Sequence, residues 1–475
     1  MFGMVSRALI GMSVVSVHSV SVVGLGKLGA CMAASFASRG FDVVGVDIRP
    51  ETVEAINAGR APIYEPGLDE LVRANSRRLR ATGSYFDAVR NSNMTFIVVP
   101  TPSTPEGAFS LRYATQAAGE VGRALRTKDA YHVVVLTSTV MPSSTERGLI
   151  PAIEAASGKR CGPDFGVCYS PEFIALGSVI RDFLNPDFLL IGESDHRAGE
   201  LLASQCHRVV PEGTPVARMK LAEAELTKLA INSYVTAKIT FANLLAALCE
   251  RLPGANVDVV TRGLGLDTRI GRKYLTGALG YGGPCFPRDN VALSHFARTL
   301  GVDASVIEAT DALNRRQGSR VAAMCAAHLA PGARVAVLGL SYKPDTIVVE
   351  ESPGLYLAGA LAGAGFEVVG YDPLVRHVGD DIPDEVKIVG EPWEALDGAQ
   401  ALILANPDPE FETPDFVALA AEATPQVIFD CWRRWQTHLD RFPGADYFAV
   451  GLAQVEAETD EALRLMVEQT LGDAL

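Results

Sequence analysis

The stretch Val20-Ser21-Val22-Val23-Gly24-Leu25-Gly26-Lys27-Leu28-Gly29 decides the fold. An apolar strand runs into a G-x-G-x-x-G turn, an Ala-rich, helix-forming segment follows, and a second apolar run over residues 41–46 ends at Asp47. Glycines allow a tight turn and close backbone approach to a pyrophosphate. The helix N-terminus attracts that anion, and an acid about 20 residues on accepts hydrogen bonds from ribose hydroxyls. Gly24, Gly26, Lys27, Leu28, Gly29 and Asp47 are therefore expected to bind a dinucleotide. Asp47 favours NAD, because a carboxylate repels the 2′-phosphate of NADP. Arg49, two residues later, could accept such a phosphate and otherwise reads as a solvated surface cation. The alternative, an ordinary strand-to-helix turn, leaves the acid and the strand–helix–strand order unexplained.

Outward from this turn, short apolar runs alternate with helical stretches to about residue 210: MTFIVVP at 94–100, HVVVLTST at 132–139, FGVCYSP at 165–171 and FLLIGES at 188–194. Runs of this kind fit a parallel, doubly wound sheet. A second series begins near residue 333 with RVAVLGL, FEVVGYD, ALILAN and QVIFD, so two Rossmann-like α/β domains are expected. Between them, residues 216–252 hold no Gly or Pro and are rich in helix formers, which predicts a long central helix of roughly 50 Å, with two shorter helices as the alternative. The expected division is 1–214, 215–328 and 329–475.

The chain of 475 residues is 48% hydrophobic with a formal charge of −14, which leaves it able to bury several cores but without the clustered cations that nucleic acid or an anionic membrane requires. Its eight cysteines show no CxxC pair and no zinc-like spacing, so no metal site and a reducing cytoplasm are expected. Arg7 followed by an apolar run has the outline of a signal peptide, but that run passes into the strand the glycine turn needs; Met12 is a candidate start.

The most distinctive chemistry lies in Gly277-Ala278-Leu279-Gly280-Tyr281-Gly282-Gly283-Pro284-Cys285-Phe286-Pro287-Arg288-Asp289. A cysteine usually reads as a small buried hydrophobe. Here a glycine-dense loop surrounds it, and Arg288 can favour the thiolate a nucleophile needs. On the expected long helix, Lys228 and Asn232 are four residues apart and share a face.

This loop resembles the GYGGxCFPKD segment of the UDP-glucose/GDP-mannose dehydrogenases, with Arg288 for the usual Lys and Pro284 for the usual Ser. The likeness runs along nearly the whole chain. It makes Cys285 the nucleophile and Asp289 its catalytic neighbour, and Lys228 and Asn232, in a KLxxN-like motif, the groups that stabilise oxyanions at C6. Tyr169-Ser170-Pro171-Glu172-Phe173 is similar to the family's NPEF segment, which implies that Glu172 manages the hydrolytic water and that Phe173 lies against substrate; read without the family, Glu172 is a helix-start carboxylate. Ser138-Thr139-Val140 matches a segment that places Thr139 at that water and, with Thr101 and Arg288, at the cofactor. The resemblance also implies substrate contacts from Arg269, reaching a neighbouring subunit, and from Tyr274, Gly282, Tyr342 and Lys343. Ala61–Leu68 matches PIYEPGL. Departures are Leu176 for a frequent Glu, Glu350 for a frequent Arg, and Phe429-Asp430-Cys431-Trp432-Arg433 for FDGR.

The implied activity is a four-electron, NAD-dependent oxidation of a nucleotide sugar in a homodimer or higher homo-oligomer. UDP-glucose leads as substrate, with GDP-mannose and UDP-N-acetylhexosamines as alternatives. A two-electron β-hydroxyacid dehydrogenase would not need Cys285 or a second α/β domain. A noncatalytic nucleotide-sugar sensor would not need Cys285, Lys228, Asn232, Glu172 and Asp289 together.

Overall fold

A computed structural model describes residues 18–375, 384–453, 462–464 and 466–467; the N-terminal stretch weighed as a signal peptide, Met12 included, lies outside them. The chain forms two compact units, one of residues up to Pro102 with Ser110–Leu226, the other of Ser103–Phe109 with Thr227 onward.

The first unit is an eight-stranded sheet: β1 (Ser19–Val23), β2 (Asp42–Val46), β3 (Leu79–Thr82), β4 (Met94–Ile97), β5 (His132–Leu136), β6 (Phe165–Tyr169), β7 (Leu189–Glu193) and β8 (Val216–Lys220). Their order is β3-β2-β1-β4-β5-β6-β7-β8. The strands are apolar on both faces because helices cover both. Val20 and Val22 pack with Phe36 and Phe41 on one side, and Val23 with Ala117 and Val121 on the other. The winding reverses between β1 and β4, and ligands of such sheets bind at the carboxyl ends of strands flanking this point. The sheet departs from the all-parallel expectation at one junction: β6 and β7 are antiparallel, with Cys168 opposite Glu193.

The long helix is continuous over Leu221–Arg251, 31 residues or about 46 Å, so the two-helix alternative does not hold. It starts later than expected, because Val216–Lys220 pairs with β7 as β8. The expected boundary at 214/215 accordingly falls before the last strand of the first sheet. A gain in sheet pairing outweighs helix propensity at these five residues.

In the second unit the long helix continues from Thr227, followed by helices Val257–Gly265, Phe286–Thr299 and Ser305–Ala327. A six-stranded parallel sheet follows: β9 (Arg334–Leu338), β10 (Glu367–Tyr371), β11 (Val386–Ile388), β12 (Ala401–Leu404), β13 (Val427–Asp430) and β14 (Asp446–Ala449), in the order β11-β10-β9-β12-β13-β14. Arg433 has a positive φ of 59° and a side chain only 2% exposed. It donates two hydrogen bonds to the Asp258 carboxylate, at 2.8 and 3.0 Å, and ties the end of this sheet to helix Val257–Gly265.

Candidate active site

The dinucleotide turn in the first unit is built around backbone contacts that exclude side chains. Gly24 has φ +91°, and a Cβ there would stand 2.2 Å from the Val98 carbonyl oxygen; at Gly29 it would meet the Gly24 carbonyl at 1.8 Å. At Gly26, by contrast, a Cβ would meet nothing within 4 Å. That open face precedes helix Lys27–Ser38, whose first turn receives no side-chain cap from Gly26. Its N–H groups are thus presented to an anion such as a pyrophosphate. Asp47 accepts a hydrogen bond from the Leu25 N–H (2.9 Å) and another from the Arg49 N–H (2.9 Å), which aims its carboxylate at the turn. The Arg49 guanidinium lies 3.4 Å from the same carboxylate, so its charge is directed to Asp47. Beyond Asp47 a cavity of about 470 Å³ is lined by the apolar surfaces of Ile48, Tyr85 and Phe86 and by the polar Ser84, Gln116, Glu120 and Arg123, a mixture suited to the faces and edges of a nucleobase. These residues fit NAD. Thr101 donates to the Thr139 carbonyl (2.7 Å), and Ser138 both accepts from the Val99 N–H and donates to its carbonyl, so the Ser138-Thr139-Val140 loop is fixed to the end of β4.

The thiol lies in the second unit. Cys285 is exposed and occupies the N-cap of helix Phe286–Thr299, where the helix N-terminus favours negative charge. Asn232 donates to the Asp289 carboxylate at 2.6 Å, and the Arg288 guanidinium lies 3.6 Å from it. Lys228, Asn232 and Asp289 are all buried. The sequence placed these residues on two motifs; folding brings them together. Although the residue Cys285 reaches solvent, surrounding protein atoms desolvate its thiol, and this, the largest influence, raises it; Asp289 and Glu350 raise it too, while Arg288 and Lys228 pull it down. The cations act in the expected direction but are outweighed. Attack on a carbonyl requires this thiol to give up its proton. Desolvation also raises Asp289, against the pull of Arg288 and Lys228.

The glycines of this loop are explained by close packing. A Cβ on Gly282 would stand 2.0 Å from the Glu351 carbonyl, and one on Gly283 would enter the Tyr342 ring at 2.6 Å. The Gly283 N–H donates to the Glu350 carbonyl (3.0 Å). The loop that carries Tyr342 and Lys343 thus packs directly on the cysteine loop. Tyr274, at φ +66°, and Tyr281 both set their rings edge-on to Phe286.

The match to known sequences covers three consecutive blocks of the UDP-glucose/GDP-mannose dehydrogenase family: the NAD binding domain at 18–209, the central domain at 222–316 and the UDP binding domain at 336–437. The chain belongs to this family. It is 39% identical over 401 residues to the UDP-glucose 6-dehydrogenase AglM of Haloferax volcanii, covering 83% of this chain and 93% of that one. It is 33% identical to a GDP-mannose 6-dehydrogenase of Pseudomonas syringae pv. tomato, covering 83% and 92%. The solved UDP-glucose dehydrogenase of Pyrobaculum islandicum superposes with a TM-score of 0.80 at 36% identity, over 95% of this chain and all of that one. The protein is an NAD-dependent nucleotide-sugar dehydrogenase.

Three carboxylates or cations of this dehydrogenase escaped the sequence reading, because their partners are far along the chain. Glu65, inside the PIYEPGL match, accepts from the Gly177 and Val179 N–H groups (3.0 and 2.8 Å) and fixes the segment after Glu172 and Phe173. That segment is irregular, and the following helix starts only at Val179, so Glu172 is not a helix-start carboxylate. Instead it lies close enough to Cys206 to help raise that thiol, whose value burial chiefly lifts to about 12. Phe173 packs its ring, tilted by 31°, against Phe188 at a centroid distance of 5.1 Å. Glu225 accepts from the Ser143 and Thr145 N–H groups (2.6 and 2.8 Å) and holds Ser143 at φ +73° in the turn that follows Thr139. Lys238 donates to the Ile270 and Gly271 carbonyls and shapes the Arg269 segment, where Arg269 itself is exposed and donates from Nε and one terminal guanidinium nitrogen to the Asp267 carboxylate. Among the described residues no cluster suited to a metal is present, and no helix is long and apolar enough to cross a membrane.

Proposed function

We propose that the chain oxidises UDP-glucose twice at C6, giving UDP-glucuronate through a thioester on Cys285. The observation that carries this reading is the convergence of Cys285, Lys228, Asn232 and Asp289 at one helix start. Oxidation of the alcohol removes a hydride and a proton and leaves an aldehyde. Cys285 adds to it: the sulfur bonds to the aldehyde carbon, the C=O π pair moves onto oxygen, and that oxygen takes up the proton the thiol releases, giving a thiohemiacetal. NAD, when bound, accepts the hydride in each oxidation. Loss of the second hydride leaves the thioester; water then cleaves the C–S bond, releasing the acid and restoring the thiol. Lys228 and the Asn232 amide are assigned to the oxygen that bears negative charge at the tetrahedral stages, where a well-aimed donor contributes roughly 3–4 kcal/mol. Glu172 and Thr139 are assigned to the hydrolytic water, and Tyr342 and Lys343 to the nucleotide sugar, on the strength of their motifs.

The proposed division of labour is NAD binding in the first α/β domain, the thiol and oxyanion groups in the central segment, and the nucleotide sugar in the second. UDP-glucose is supported by the relatives that carry that activity in their names, at 36–39% identity. The protein is proposed to act as a homodimer, supported by the exposed apolar side chains Tyr234, Phe241, Leu244 and Leu248, which recur at helical spacing along the long helix. Arg269 would serve the neighbouring subunit's substrate. A reducing cytoplasm suits its eight thiols.

The test is stoichiometric. With UDP-glucose, GDP-mannose and UDP-N-acetylglucosamine offered in turn, two NADH should form per UDP-glucose consumed. The Cys285→Ser variant should bind but lose turnover by about a thousandfold or more. One NADH per sugar, or an active Cys285→Ser enzyme, overturns the thioester route; turnover of GDP-mannose alone overturns the substrate.

A further inference from the structure

The backbone that leads into Cys285 has no strand or helix partner. Ala278, Leu279 and Tyr281 are nonetheless buried, with 0%, 2% and 6% of their surface exposed. A buried peptide group must be hydrogen-bonded, so the partners have to come from side chains. Three carboxamides supply them. Asn243, on the long helix, accepts from the Ala278 N–H at 2.9 Å and donates to the Leu279 carbonyl at 3.4 Å. Gln317, on helix Ser305–Ala327, donates to the Ala278 carbonyl at 2.7 Å. Asn314, one turn earlier on that helix, accepts from the Tyr281 N–H at 2.8 Å and donates to the Tyr281 carbonyl at 2.9 Å. With these two bonds Asn314 replaces a neighbouring strand for a single residue.

The arrangement explains Gly280, whose Cβ would stand 2.3 Å from the Asn314 side-chain oxygen. It also continues toward the thiol. Tyr281 is held at its hydroxyl by Asn290 (2.9 Å) and sets its ring edge-on to Phe286, the residue after Cys285. A shift of the Tyr281 backbone would therefore be passed to both sides of the cysteine turn.

We infer that Asn314, supported by Asn243 and Gln317, is a positioning residue that fixes where the Cys285 sulfur stands for attack. The inference rests on the reading of Cys285 as the nucleophile. Asn314 touches neither sulfur nor substrate; it acts through Tyr281. A cavity of about 180 Å³ bordered by Tyr281, Asn314, Arg315, Glu351 and Tyr356 lies beside it. Truncation there admits water to the two Tyr281 backbone groups, which keeps them hydrogen-bonded while the loop loosens.

The experiment compares the full-length wild type with Asn314→Ala and with Asn314→Asp, which keeps the shape and the acceptor but removes the donor. Asn314→Ala should lower kcat by roughly 10- to 100-fold with both KM values within about threefold, as expected when a reacting group is displaced by about an ångström. In the absence of substrate, alkylation of Cys285 by iodoacetamide, followed by mass spectrometry, should run faster, because the loosened loop no longer holds the sulfur in one place. Asn314→Asp should fall between the two in kcat and alkylation. If Asn314→Ala does not fold, Asn314→Asp carries the same comparison. A lowered melting temperature with wild-type kcat and a wild-type alkylation profile would make Asn314 purely structural and overturn the inference. Since alkylation needs no turnover, it tests the position of the sulfur separately from the thioester route, which an active Cys285→Ser enzyme would overturn by itself.

Discussion

The two α/β halves open with the same turn and use it differently. Gly24 and Gly339 both have left-handed φ, +91° and +101°; Gly29 and Gly354 both press against the carbonyl of that first glycine; Gly45 and Gly370 both make room for the leucine that follows it, Leu25 and Leu340. Each leucine N–H donates to an aspartate at the end of the next strand, Asp47 or Asp372. The difference lies in what is left over. In the first half the helix begins immediately after Gly26, uncapped, and Asp47 holds two backbone N–H groups. In the second half the helix begins only at Pro353, capped by the Ser352 hydroxyl, and Asp372 accepts from Leu340, Ser341, Leu374 and Val375 N–H groups and from the Ser341 hydroxyl. One half presents an anion site and an acid with capacity to spare. The other has spent both on holding a longer loop, the one that carries Tyr342 and Lys343. Identical topology thus does not make two dinucleotide sites; the unused hydrogen-bonding groups do.

The largest effects should come from glycines. Gly29→Ala and Gly354→Ala place a methyl within 1.8 and 2.3 Å of a carbonyl oxygen, and each should cost about 3 kcal/mol or more in denaturant unfolding. Gly26→Ala should fold with a near-normal melting temperature yet bind NAD at least about tenfold more weakly, since its methyl projects only into the anion's space. A fully active Gly26→Ala enzyme would erase the distinction between the halves.

The aspartates come next. Asp372→Asn forfeits acceptor positions in a fully buried network and should cost about 2–4 kcal/mol of stability with little change in the KM for NAD. Asp47→Asn should do the reverse, raising the KM for NAD by about tenfold and narrowing the preference over NADP, with Arg49 released from its carboxylate. If Asp47→Asn lost stability and kept NAD affinity, the two aspartates would be equivalent.

The smallest effect concerns charge at the carboxyl edge of the second sheet. Desolvation raises Asp408 above its ordinary value; the hydrogen bond from the Glu410 N–H opposes this, and the charges of Asp372, Glu410 and Asp345 add to the rise. A carboxyl raised by folding stabilises most when protonated, and that contribution is lost as pH climbs through its folded value. Asp408→Asn should therefore raise the melting temperature by about 1–2 °C at pH 7. Its Asn can still cap Glu410, and the gain should vanish below the ordinary aspartate range. A gain that persists in acid would point to packing and not to charge.

Local patterns in the sequence determined most of the architecture. The turns at Gly24 and Gly339, ten of the strands and the long helix were legible, because apolar runs, glycine turns and helix propensity act over a few residues. The four strands that were not legible, β3, β8, β11 and β14, each carry a charged residue that interrupts a short apolar run: Arg80, Arg218 with Lys220, Lys387 and Asp446. The motifs holding Cys285, Lys228, Asn232 and Asp289 were also legible as residues. Their meeting was not, since the Asn232–Asp289 bond closes 57 residues of chain. The same holds for Glu65, Glu225, Lys238, Asn243, Asn314 and Gln317, polar side chains whose types are ordinary and whose partners are backbone groups dozens of residues away. A backbone N–H or carbonyl leaves no trace in sequence of being unpaired; only the tertiary fold shows which ones are buried and must be met.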